Sequence, residues 1–310
     1  MTTASIDAAM GFAPDYDSPV PYMQRTRDYY KAIGYDPYRW AHFVDVPFTP
    51  FTKPLSKARI GLITTAAPFH PDKGDQGPGA AYNSAAKFYE PYSGSTAEEH
   101  DLRISHIGYD RKHTTAKDSN TWFPLPLMRE FAAEGRFTLA KRFHGAPTNR
   151  SHRHTVTTDC PELLQLVQDD EVDAVLLVPN CPVCHQTCSL VARYLEEHGI
   201  PTVVMGCAKD IVEHCGVPRF LFSDFPLGNS AGKPHDQASQ DQTLELALKL
   251  LESAVGPRTT LQSPIRWNDD GSWKMDYYNL EQIGEVELTR RREEFARQKE
   301  IARNIREKVA

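Results

Sequence analysis

The chain has 310 residues, of which 40% are hydrophobic and 25% charged, and its formal net charge at pH 7 is −6. This mildly acidic composition argues against nucleic acid as a partner, and no apolar run approaches the ~20 residues that cross a bilayer. The first residues lack the basic and apolar segments of a secretory signal, so we expect a cytoplasmic protein with reduced thiols.

The first unit, residues 1–57, is predicted to contain a helix and an extended arm. Residues 22–35 carry aromatic side chains at helical spacing and end near Gly34, which indicates a short helix. Residues 38–55 are rich in aromatic residues and proline but have no clean period. We expect this arm to lie against an apolar surface, either of its own domain or of a second subunit.

The second unit, residues 58–256, alternates between predicted strands and helices. Strands are predicted at 59–65, 102–110, 137–143, 172–179, 201–206 and 218–224. Helices are predicted at 124–135, 160–170 with Asp159 as its cap, 189–199, 209–216 and 242–256. This alternation predicts a doubly wound α/β domain, with a parallel sheet flanked by helices. In such sheets ligands bind at the carboxyl ends of the strands.

The third unit, residues 257–310, is predicted to form a hairpin and a charged helix. Two aromatic runs flank the sequence DDG at 269–271, which is typical of a hairpin. Four apolar residues recur every seven positions in the helix: Leu288, Phe295, Ala302 and Val309. This stripe could pack on a partner helix or on the same chain. Together with the aromatic arm, it leads us to expect a homo-oligomer.

The sequence VPNCPVCHQTC at 178–188 holds three of the six cysteines. It follows the strongest predicted strand, and Pro182 suits the first turn of a following helix. Cys181 would then lie exposed at the helix N-terminus, where the helix dipole lowers the pKa of a thiol. Cys184 lies three residues further on and could close a disulfide with it. We interpret the two residues as a redox nucleophile and its resolving partner.

A metal site is the alternative interpretation of these cysteines. Three thiolates and His185 could surround zinc, although Cys184 and His185 point in different directions on a helix. Cys207 follows the neighbouring strand and could approach the same sheet edge. A metal or iron–sulfur cluster could thus be held by Cys181, Cys184, Cys188 and Cys207. We expect Cys160 and Cys215 to pack as small apolar residues.

Further side chains are predicted near the cysteine pair. Supporting roles are predicted for His106, Asp110, Asn180, Cys188 and Cys207, and substrate contacts for Thr64, Thr65 and Tyr109. A histidine near a thiolate can keep it deprotonated or deliver a proton, but His106 could equally be a core residue bonded to backbone. Cys207 could equally be a buried thiol.

Surface loops supply weaker candidates. The glycine-rich loop 67–83 follows the first strand and could act as a lid. One predicted loop carries His144, Arg150, His152, Arg153 and His154. Its arginines could grip a carboxylate through paired hydrogen bonds. Both patterns are also typical of ordinary surface loops, and His113 fits a surface position as well.

The sequence VDAVLLVPNCPVCHQTCSLVARYLEEHGIPTVV at 172–204 resembles the segment around the selenocysteine in the B subunits of glycine, sarcosine, betaine and D-proline reductases. RIGLITTAAP, HIGYD, WFPLPLMREFAAEGRF and FSDFPLGNSAG resemble further segments of that family in the same order. The resemblance runs from about residue 58 to residue 254. The aromatic arm is similar to that of the shorter, stand-alone members.

The resemblance implies that Cys181 occupies the selenocysteine position and that Cys184 is its partner. In the family the selenolate attacks carbon, displaces an amine and leaves a reduced product, with electrons ultimately from thiols. A thiol is a weaker nucleophile than a selenol, so we expect a small substrate with an activated C–N, C–S or C–halogen bond.

We therefore predict a thiol-dependent reductase without a cofactor, reset by a small thiol or a thioredoxin-like donor protein. Two alternatives stay open. The first is a metal- or iron–sulfur-dependent desulfurase that uses the cysteines as ligands. The second is a non-catalytic subunit that docks on a larger reductase.

Overall fold

A computed structural model of the chain describes residues 18–148 and 151–309, with side chains as far as residue 304. The helices are α1 (Tyr22–Ala32), α2 (Leu125–Ala133), α3 (Cys160–Asp169), α4 (Pro182–Glu197), α5 (Lys209–Cys215), α6 (Gln237–Ser253) and α7 (Glu285–Val309). The strands are β1 (Arg59–Thr64), β2 (Ala67–Pro68), β3 (Tyr92–Ser95), β4 (Leu102–Arg103), β5 (Thr138–Leu139), β6 (Arg142–Gly145), β7 (Ala174–Val178), β8 (Thr202–Gly206), β9 (Arg219–Phe222) and β10 (Thr259–Gln262). Within these residues no helix has the length and apolarity needed to cross a membrane.

The central sheet is mostly parallel, with the strand order β10-β9-β8-β7-β1-β6-β3. Within this sheet, as far as the chain is described, only the edge strand β3 runs antiparallel to its neighbour. The chain builds outward from β1 to β6 on one side and from β7 to β10 on the other. This arrangement confirms the predicted doubly wound α/β class. It also creates a crevice at the carboxyl ends of β1 and β7, where ligands bind in such sheets.

The sheet is covered on both faces. One face packs against α2 and α6, through residues such as Met128 and Leu248. The other face packs against α3 and α4, through residues such as Leu163 and Val191. Every residue of β7 is buried, which explains why its sequence, AVLLV, is uniformly apolar rather than alternating.

The N-terminal arm lies on the domain of its own chain. The backbone N–H of Thr49 donates to the Glu196 carboxylate at 2.5 Å, and the Thr49 hydroxyl donates to the Glu196 carbonyl at 2.7 Å. The Arg219 guanidinium lies over the ring of Phe48, 4.3 Å from its centre. The aromatic surface of the arm is therefore covered within the chain, one of the two arrangements that the sequence allows.

The C-terminal segment also folds back onto the domain. Where a hairpin is predicted, residues 263–284 form coil, turns and a short 3-10 helix, Ser272–Met275. The aromatic residues do not pair across two strands. Trp267, Trp273 and Tyr277 instead pack in one apolar cluster with residues of the domain. In α7, Leu288 and Phe295 pack against a cluster of the same chain. At these two positions the apolar stripe therefore packs on its own chain, which is one of the two predicted arrangements. The side chain of Val309 lies outside the described residues.

The strand predicted at 137–143 is split into β5 and β6, the helix predicted at 189–199 begins earlier as α4, and two further elements differ more. The strand predicted at 102–110 is reduced to β4, which pairs antiparallel with β2, and the residues after it are loop. The helix predicted to begin after Asp159 starts earlier. A helical turn at His152–His154 and a π turn at Thr155–Asp159 lead directly into α3. Ser151 caps this start, because its hydroxyl accepts a hydrogen bond from the backbone N–H of His154.

The predicted histidine-rich loop is consequently divided among regular elements. His144 lies on β6 and His152 in the helical turn, where Nε2 lies 3.1 Å from the Tyr38 hydroxyl. Arg150 lies outside the described residues. The prediction that one loop gathers these side chains is therefore wrong for His144, because β6 continues through it as the partner of β1 and β3.

Candidate functional site

The candidate site lies at the crevice where β1 and β7 end side by side. Thr64 on β1 pairs with Val178 on β7, and both strands end there. The hydroxyl of Thr65 accepts a hydrogen bond from the backbone N–H of Asn180 at 3.2 Å. This bond fixes the two strand ends relative to each other. It also sets the backbone position of the next residue, Cys181.

Cys181 and Cys184 are joined by a disulfide at the start of α4. Their Cα atoms are 4.9 Å apart, as the spacing of three residues allows. Cys181 is the N-cap residue, and its sulfur accepts a hydrogen bond from the backbone N–H of Cys184 at 3.2 Å. Pro182 occupies the first helical turn, as predicted. In the reduced state the same N–H and the helix dipole would favour a thiolate on Cys181.

The pair is buried, contrary to the predicted exposure of Cys181. Cys181 is 4% exposed and Cys184 is completely buried. Aromatic residues of α1, the arm and the C-terminal segment pack in one cluster with the two cysteines. We call this set the aromatic cover: Tyr29, Tyr30, Tyr38, Trp40, Tyr278 and Phe295. The sequence around the cysteines could not reveal the burial, because both covering segments are distant in the chain.

The aromatic cover is tied to the loop that follows β4. The hydroxyl of Tyr278 donates to the carbonyl of Ile107 at 3.0 Å, and its ring stacks on Tyr29 with 3.8 Å between ring centres. The hydroxyl of Tyr277 donates to the carbonyl of Gly108, also at 3.0 Å. A Cβ atom at Gly108 would lie 2.5 Å from the ring of Pro182. Glycine therefore lets this loop pack directly on the first turn of α4.

His106 lies in the same loop and reaches the two cysteines. A ring nitrogen of His106 and the sulfurs of Cys181 and Cys184 all lie within 4.8 Å of one another. Burial lowers the pKa of His106 to about 3, so the imidazole is neutral in this disulfide state. Its Nδ1 atom has no hydrogen-bond partner in the described part of the chain. The structure thus brings together the sequence-predicted residues Cys181, Cys184 and His106.

Tyr109 and Asp110 face other partners. The hydroxyl of Tyr109 lies 3.4 Å from that of Thr114, and its ring fills the space beside Gly228. The Asp110 carboxylate contacts Nδ1 of His113 at 2.9 Å and accepts bonds from two backbone N–H groups. The Asp110 carboxylate therefore forms these hydrogen bonds within its own loop rather than with the sulfurs.

His113 is a second point of attachment for the C-terminal segment. Its Nε2 atom lies 3.1 Å from the Asp276 carboxylate, while Nδ1 faces Asp110. Hydrogen bonding to Asp110 raises the pKa of His113. Its side chain is only 16% exposed, so a surface position is wrong for this residue.

The four cysteines of the alternative metal cluster do not come together. The Cys188 side chain packs in the core between α4 and the sheet. Cys207 belongs to a different apolar cluster, where its sulfur lies 3.9 Å from the Ser230 hydroxyl and burial raises its pKa to about 12. Within residues 18–148 and 151–304, the group of three or more potential ligands is His106, Cys181 and Cys184. The predicted supporting roles of Cys188 and Cys207 therefore lack a contact with the pair.

His185 holds the beginning of α4 in place. Its Nδ1 lies 2.8 Å from the Cys181 carbonyl, and its Nε2 accepts a bond from the backbone N–H of Cys207 at 3.0 Å. These partners fix the tautomer, because a carbonyl only accepts and an N–H only donates. Burial lowers the pKa of His185 to about 4, so the ring is neutral. Both ring nitrogens are occupied, which removes His185 as a ligand for zinc.

Thr64 is the last residue of β1, and Asn180 lies two residues after the end of β7. The hydroxyl of Thr64 accepts a bond from the backbone N–H of Ala66 at 3.1 Å and lies 3.5 Å from the Trp122 carbonyl. Thr64 and Thr65 are both completely buried, and their hydroxyls accept hydrogen bonds from backbone N–H groups. Asn180 is also completely buried, and among the described residues neither polar atom of its amide has a hydrogen-bond partner. Buried polar groups without a partner are costly to the fold.

Two cavities lie beside the loop that carries His106. Their volumes are about 550 and 450 Å³, and both are lined by Tyr109 and Arg111. The Arg111 guanidinium donates to the carbonyls of His106 at 2.7 Å and Ile104 at 3.4 Å. Sequence reasoning missed Arg111, because its partners are backbone atoms that no side-chain pattern reveals. The loop thus separates the sulfurs from the space that could hold a small molecule.

Comparisons with known proteins agree with this architecture. The sequence profile of a family described as glycine/sarcosine/betaine reductase selenoprotein B matches residues 36–180 and ends directly before Cys181. The chain is 32% identical over 206 residues to D-proline reductase subunit gamma of Acetoanaerobium sticklandii, covering 66% of this chain and 82% of that protein.

Two longer relatives extend the comparison. The glycine reductase complex component B subunit gamma of Symbiobacterium thermophilum is 28% identical, over 73% of this chain and 53% of that protein. The sarcosine reductase complex component B subunit beta of Peptoclostridium acidaminophilum is 24% identical, over 71% and 51%. The chain thus spans about half the length of these two relatives. No solved structure matches it. The resemblance seen in the sequence is confirmed, and the chain belongs to the glycine/sarcosine/betaine reductase selenoprotein B family.

Proposed function

We propose that the chain is a thiol-dependent reductase that cleaves an activated C–N, C–S or C–halogen bond in a small substrate. One observation carries the proposal. Cys181 and Cys184 are joined at the N-terminus of α4, at the crevice between β1 and β7. A reversible dithiol at a ligand-binding edge of the sheet is the arrangement that such chemistry requires.

We assign Cys181 as the nucleophile and Cys184 as the resolving residue. Cys181 caps the helix and accepts the Cys184 N–H, so its thiolate has the stronger electrostatic support. Cys181 also keeps 4% exposure, whereas Cys184 has none. The first attack requires contact with a substrate, while the second requires only contact with Cys181.

The reaction has two bond-making steps. The Cys181 thiolate attacks the activated carbon, and the leaving group departs with the bonding electrons and takes up a proton. The Cys184 thiolate then attacks the Cys181 sulfur, and the carbon takes the S–C electron pair and a proton. The substrate carbon gains two electrons, and the two thiols become the disulfide. A small thiol or a thioredoxin-like protein would supply two electrons to restore the dithiol.

His106 is suited to moving a proton in this scheme. Its pKa of about 3 belongs to the neutral disulfide state, in which burial disfavours the charged ring. A thiolate within 4.8 Å would favour the imidazolium and raise that pKa, because opposite charges at this distance stabilise each other. His106 would therefore accept a proton as the dithiol ionises and return it to the product.

Access to the pair requires the aromatic cover to move. Cys181 is too buried for a substrate to reach it in the closed arrangement. We propose that the substrate enters from the cavity side and that the orphaned Asn180 amide contributes a polar contact. In the cytoplasm, where we expect the protein, the pair would start reduced.

The test is turnover by the isolated, reduced protein. The substrate panel comprises D-proline, glycine, sarcosine and compounds with a halide or thioether beside a carbonyl group, with a phosphine or dithiol as reductant. We expect Cys181→Ser to abolish turnover and Cys184→Ser to accumulate a Cys181 adduct visible by mass spectrometry. Cys160→Ala changes a cysteine of α3 that is buried in the hydrophobic core, and it should retain turnover. Full activity of Cys181→Ser would overturn the mechanism.

A non-catalytic subunit is the second candidate. Each relative described above is named as a subunit, and two are named as components of a complex. The buried pair is compatible with a partner that opens the aromatic cover on docking. Turnover by the isolated chain would exclude this role, whereas turnover only after adding a partner reductase component would support it. Homo-oligomerisation stays a prediction, to be checked by sedimentation.

A further inference from the structure

The side chains of Cys181, Cys184 and His106 have the composition of a metal site. Their potential ligand atoms all lie within 4.8 Å of one another, and all three residues are buried. Two sulfurs and one imidazole nitrogen form a soft ligand set, which zinc prefers over carboxylate oxygens. The set combines Cys184 of α4 and the cap residue Cys181 with His106, which lies in a loop more than 70 positions earlier. Local sequence spacing therefore does not reveal the set.

An independent feature of His106 points to a ligand. The residue is 5% exposed, and its Nδ1 atom lacks a hydrogen-bond partner in the described part of the chain. A buried ring nitrogen without a hydrogen-bond partner is destabilising. The nearby His185 shows the alternative, since both of its nitrogens are satisfied by backbone groups. His106 is therefore the histidine of this region with capacity for another partner.

We propose that the reduced pair, Cys181 and Cys184, binds Zn²⁺ together with His106, leaving a fourth position open. Binding replaces the two thiol protons, which pass to solvent, and involves no electron transfer. The ion carries two positive charges and the thiolates two negative charges, so the complex is neutral. Neutrality suits this site, because a net charge is costly to bury beside the tyrosine and aliphatic side chains of this cluster.

The site is gated by the redox state of the cysteines. The disulfide has no thiolate to offer, so the oxidised chain binds the ion only after two electrons and two protons have been supplied. Bound Zn²⁺ would occupy both sulfurs and prevent nucleophilic attack. This inhibitory consequence rests on the proposed reductase function, whereas the binding itself does not.

The test is a titration of the full chain with Co²⁺ as a spectroscopic probe, followed by displacement with Zn²⁺. The chain is reduced with a phosphine, and the phosphine is then removed under anaerobic conditions. We expect one ion per chain, absorption bands from thiolate-to-cobalt charge transfer, and the visible bands of tetrahedral Co²⁺. The same wild-type chain with its disulfide intact should show none of these bands. This comparison needs no substitution and therefore carries no risk of misfolding.

Variants identify the ligands. Cys181→Ser, Cys184→Ser and His106→Ala should each weaken Zn²⁺ binding by more than about 100-fold, since losing a direct ligand should exceed the effect of losing an outer contact. His198→Ala, on the exposed end of α4, is the matched histidine control and should leave affinity unchanged.

Three results would overturn the inference: no uptake of either ion by the reduced wild-type chain, equal uptake by the oxidised chain, or unchanged affinity in His106→Ala. The readout is absorption and metal content, so it does not depend on turnover. A chain that binds zinc but shows no turnover would support this inference and contradict the reductase proposal. A chain that turns over but binds no metal separates them in the opposite direction.

Discussion

The Nε2 atom of His185 accepts a hydrogen bond from the backbone N–H of Cys207 at 3.0 Å, linking the start of α4 to the end of β8. The close approach depends on Gly206, where a Cβ atom would lie 2.7 Å from the imidazole. Since Nδ1 also lies 2.8 Å from the Cys181 carbonyl, one ring fixes the reactive cap residue against the neighbouring strand. His185 is thus a positioning residue for the pair.

The first prediction is that His185→Phe destabilises the fold. Phenylalanine fills similar space but leaves the Cys207 N–H unpaired, and it removes one of the two hydrogen bonds that the Cys181 carbonyl accepts. Each unpaired buried group costs about 1–3 kcal/mol, so the free energy of unfolding in urea should fall by at least that amount. His198→Phe, at the exposed end of the same helix, should change it by less than about 0.5 kcal/mol. Equal losses in the two variants would contradict the positioning role.

The second prediction concerns acid stability. Burial lowers the pKa of His106 to about 3 and of His144 and His185 to about 4, below the ~6.5 of an unfolded histidine. Between these values the unfolded chain binds more protons than the folded chain. The contribution of these groups is therefore fully present above pH ~6.5 and is lost as the pH falls towards 4.

The measurement compares unfolding free energies of wild type and His185→Phe between pH 7.5 and pH 5. Asp210 acts in the opposite direction, because burial raises its pKa to about 6. The difference between the two chains removes that shared contribution. Wild type should lose more stability than the variant on acidification, by up to about 1.4 kcal/mol per pH unit. Parallel curves would show that His185 is not buried as a neutral ring.

The third prediction is that loosening the aromatic cover exposes Cys181. Tyr278→Ala removes the stack on Tyr29 and the hydrogen bond to the Ile107 carbonyl. Local opening should become more frequent, and alkylation of reduced Cys181 by iodoacetamide should accelerate about 10-fold or more. The rate is measured by mass spectrometry of the labelled peptide. Tyr194→Ala, which removes a stack on His198 outside the cover, should label at the wild-type rate.

The fourth prediction concerns the ion pair beneath the N-terminal arm. Arg219 and Glu196 are completely buried at their side chains and lie 2.8 Å apart. Glu196→Gln leaves a buried guanidinium without its countercharge and should lower the free energy of unfolding by about 3–5 kcal/mol. Glu197→Gln, at the exposed next position, should have little effect. A small loss in Glu196→Gln would mean that water reaches Arg219.

Parts of this fold follow directly from local sequence. β7 is recognisable because both of its faces are covered, which demands a continuous apolar run. The β7–α4 junction follows as well, since Pro182 favours a first turn and Cys181 can cap it. The parallel topology does not account for the proximity of His106 to the cysteines, because β4, the strand before its loop, pairs with β2 outside the central sheet.

Other features depend on contacts that no local pattern contains. Burial of Cys181 depends on Tyr29 and Tyr278, which approach from opposite ends of the chain. The loop after β4 keeps a non-strand path because Arg111 bonds its carbonyls and Tyr277 bonds Gly108. Local propensity favours a strand there, but these tertiary hydrogen bonds satisfy the backbone differently.

The two segments that cover the sulfurs also set an order of events during synthesis. The sheet is complete once β10 has left the ribosome, whereas residues 263–309 emerge later and carry Tyr278 and Phe295. A nascent chain at that stage has the N-terminal part of the aromatic cover but lacks the part that Tyr278 and Phe295 supply. Before that segment packs, oxidants and reductants can reach the pair more easily than in the folded chain.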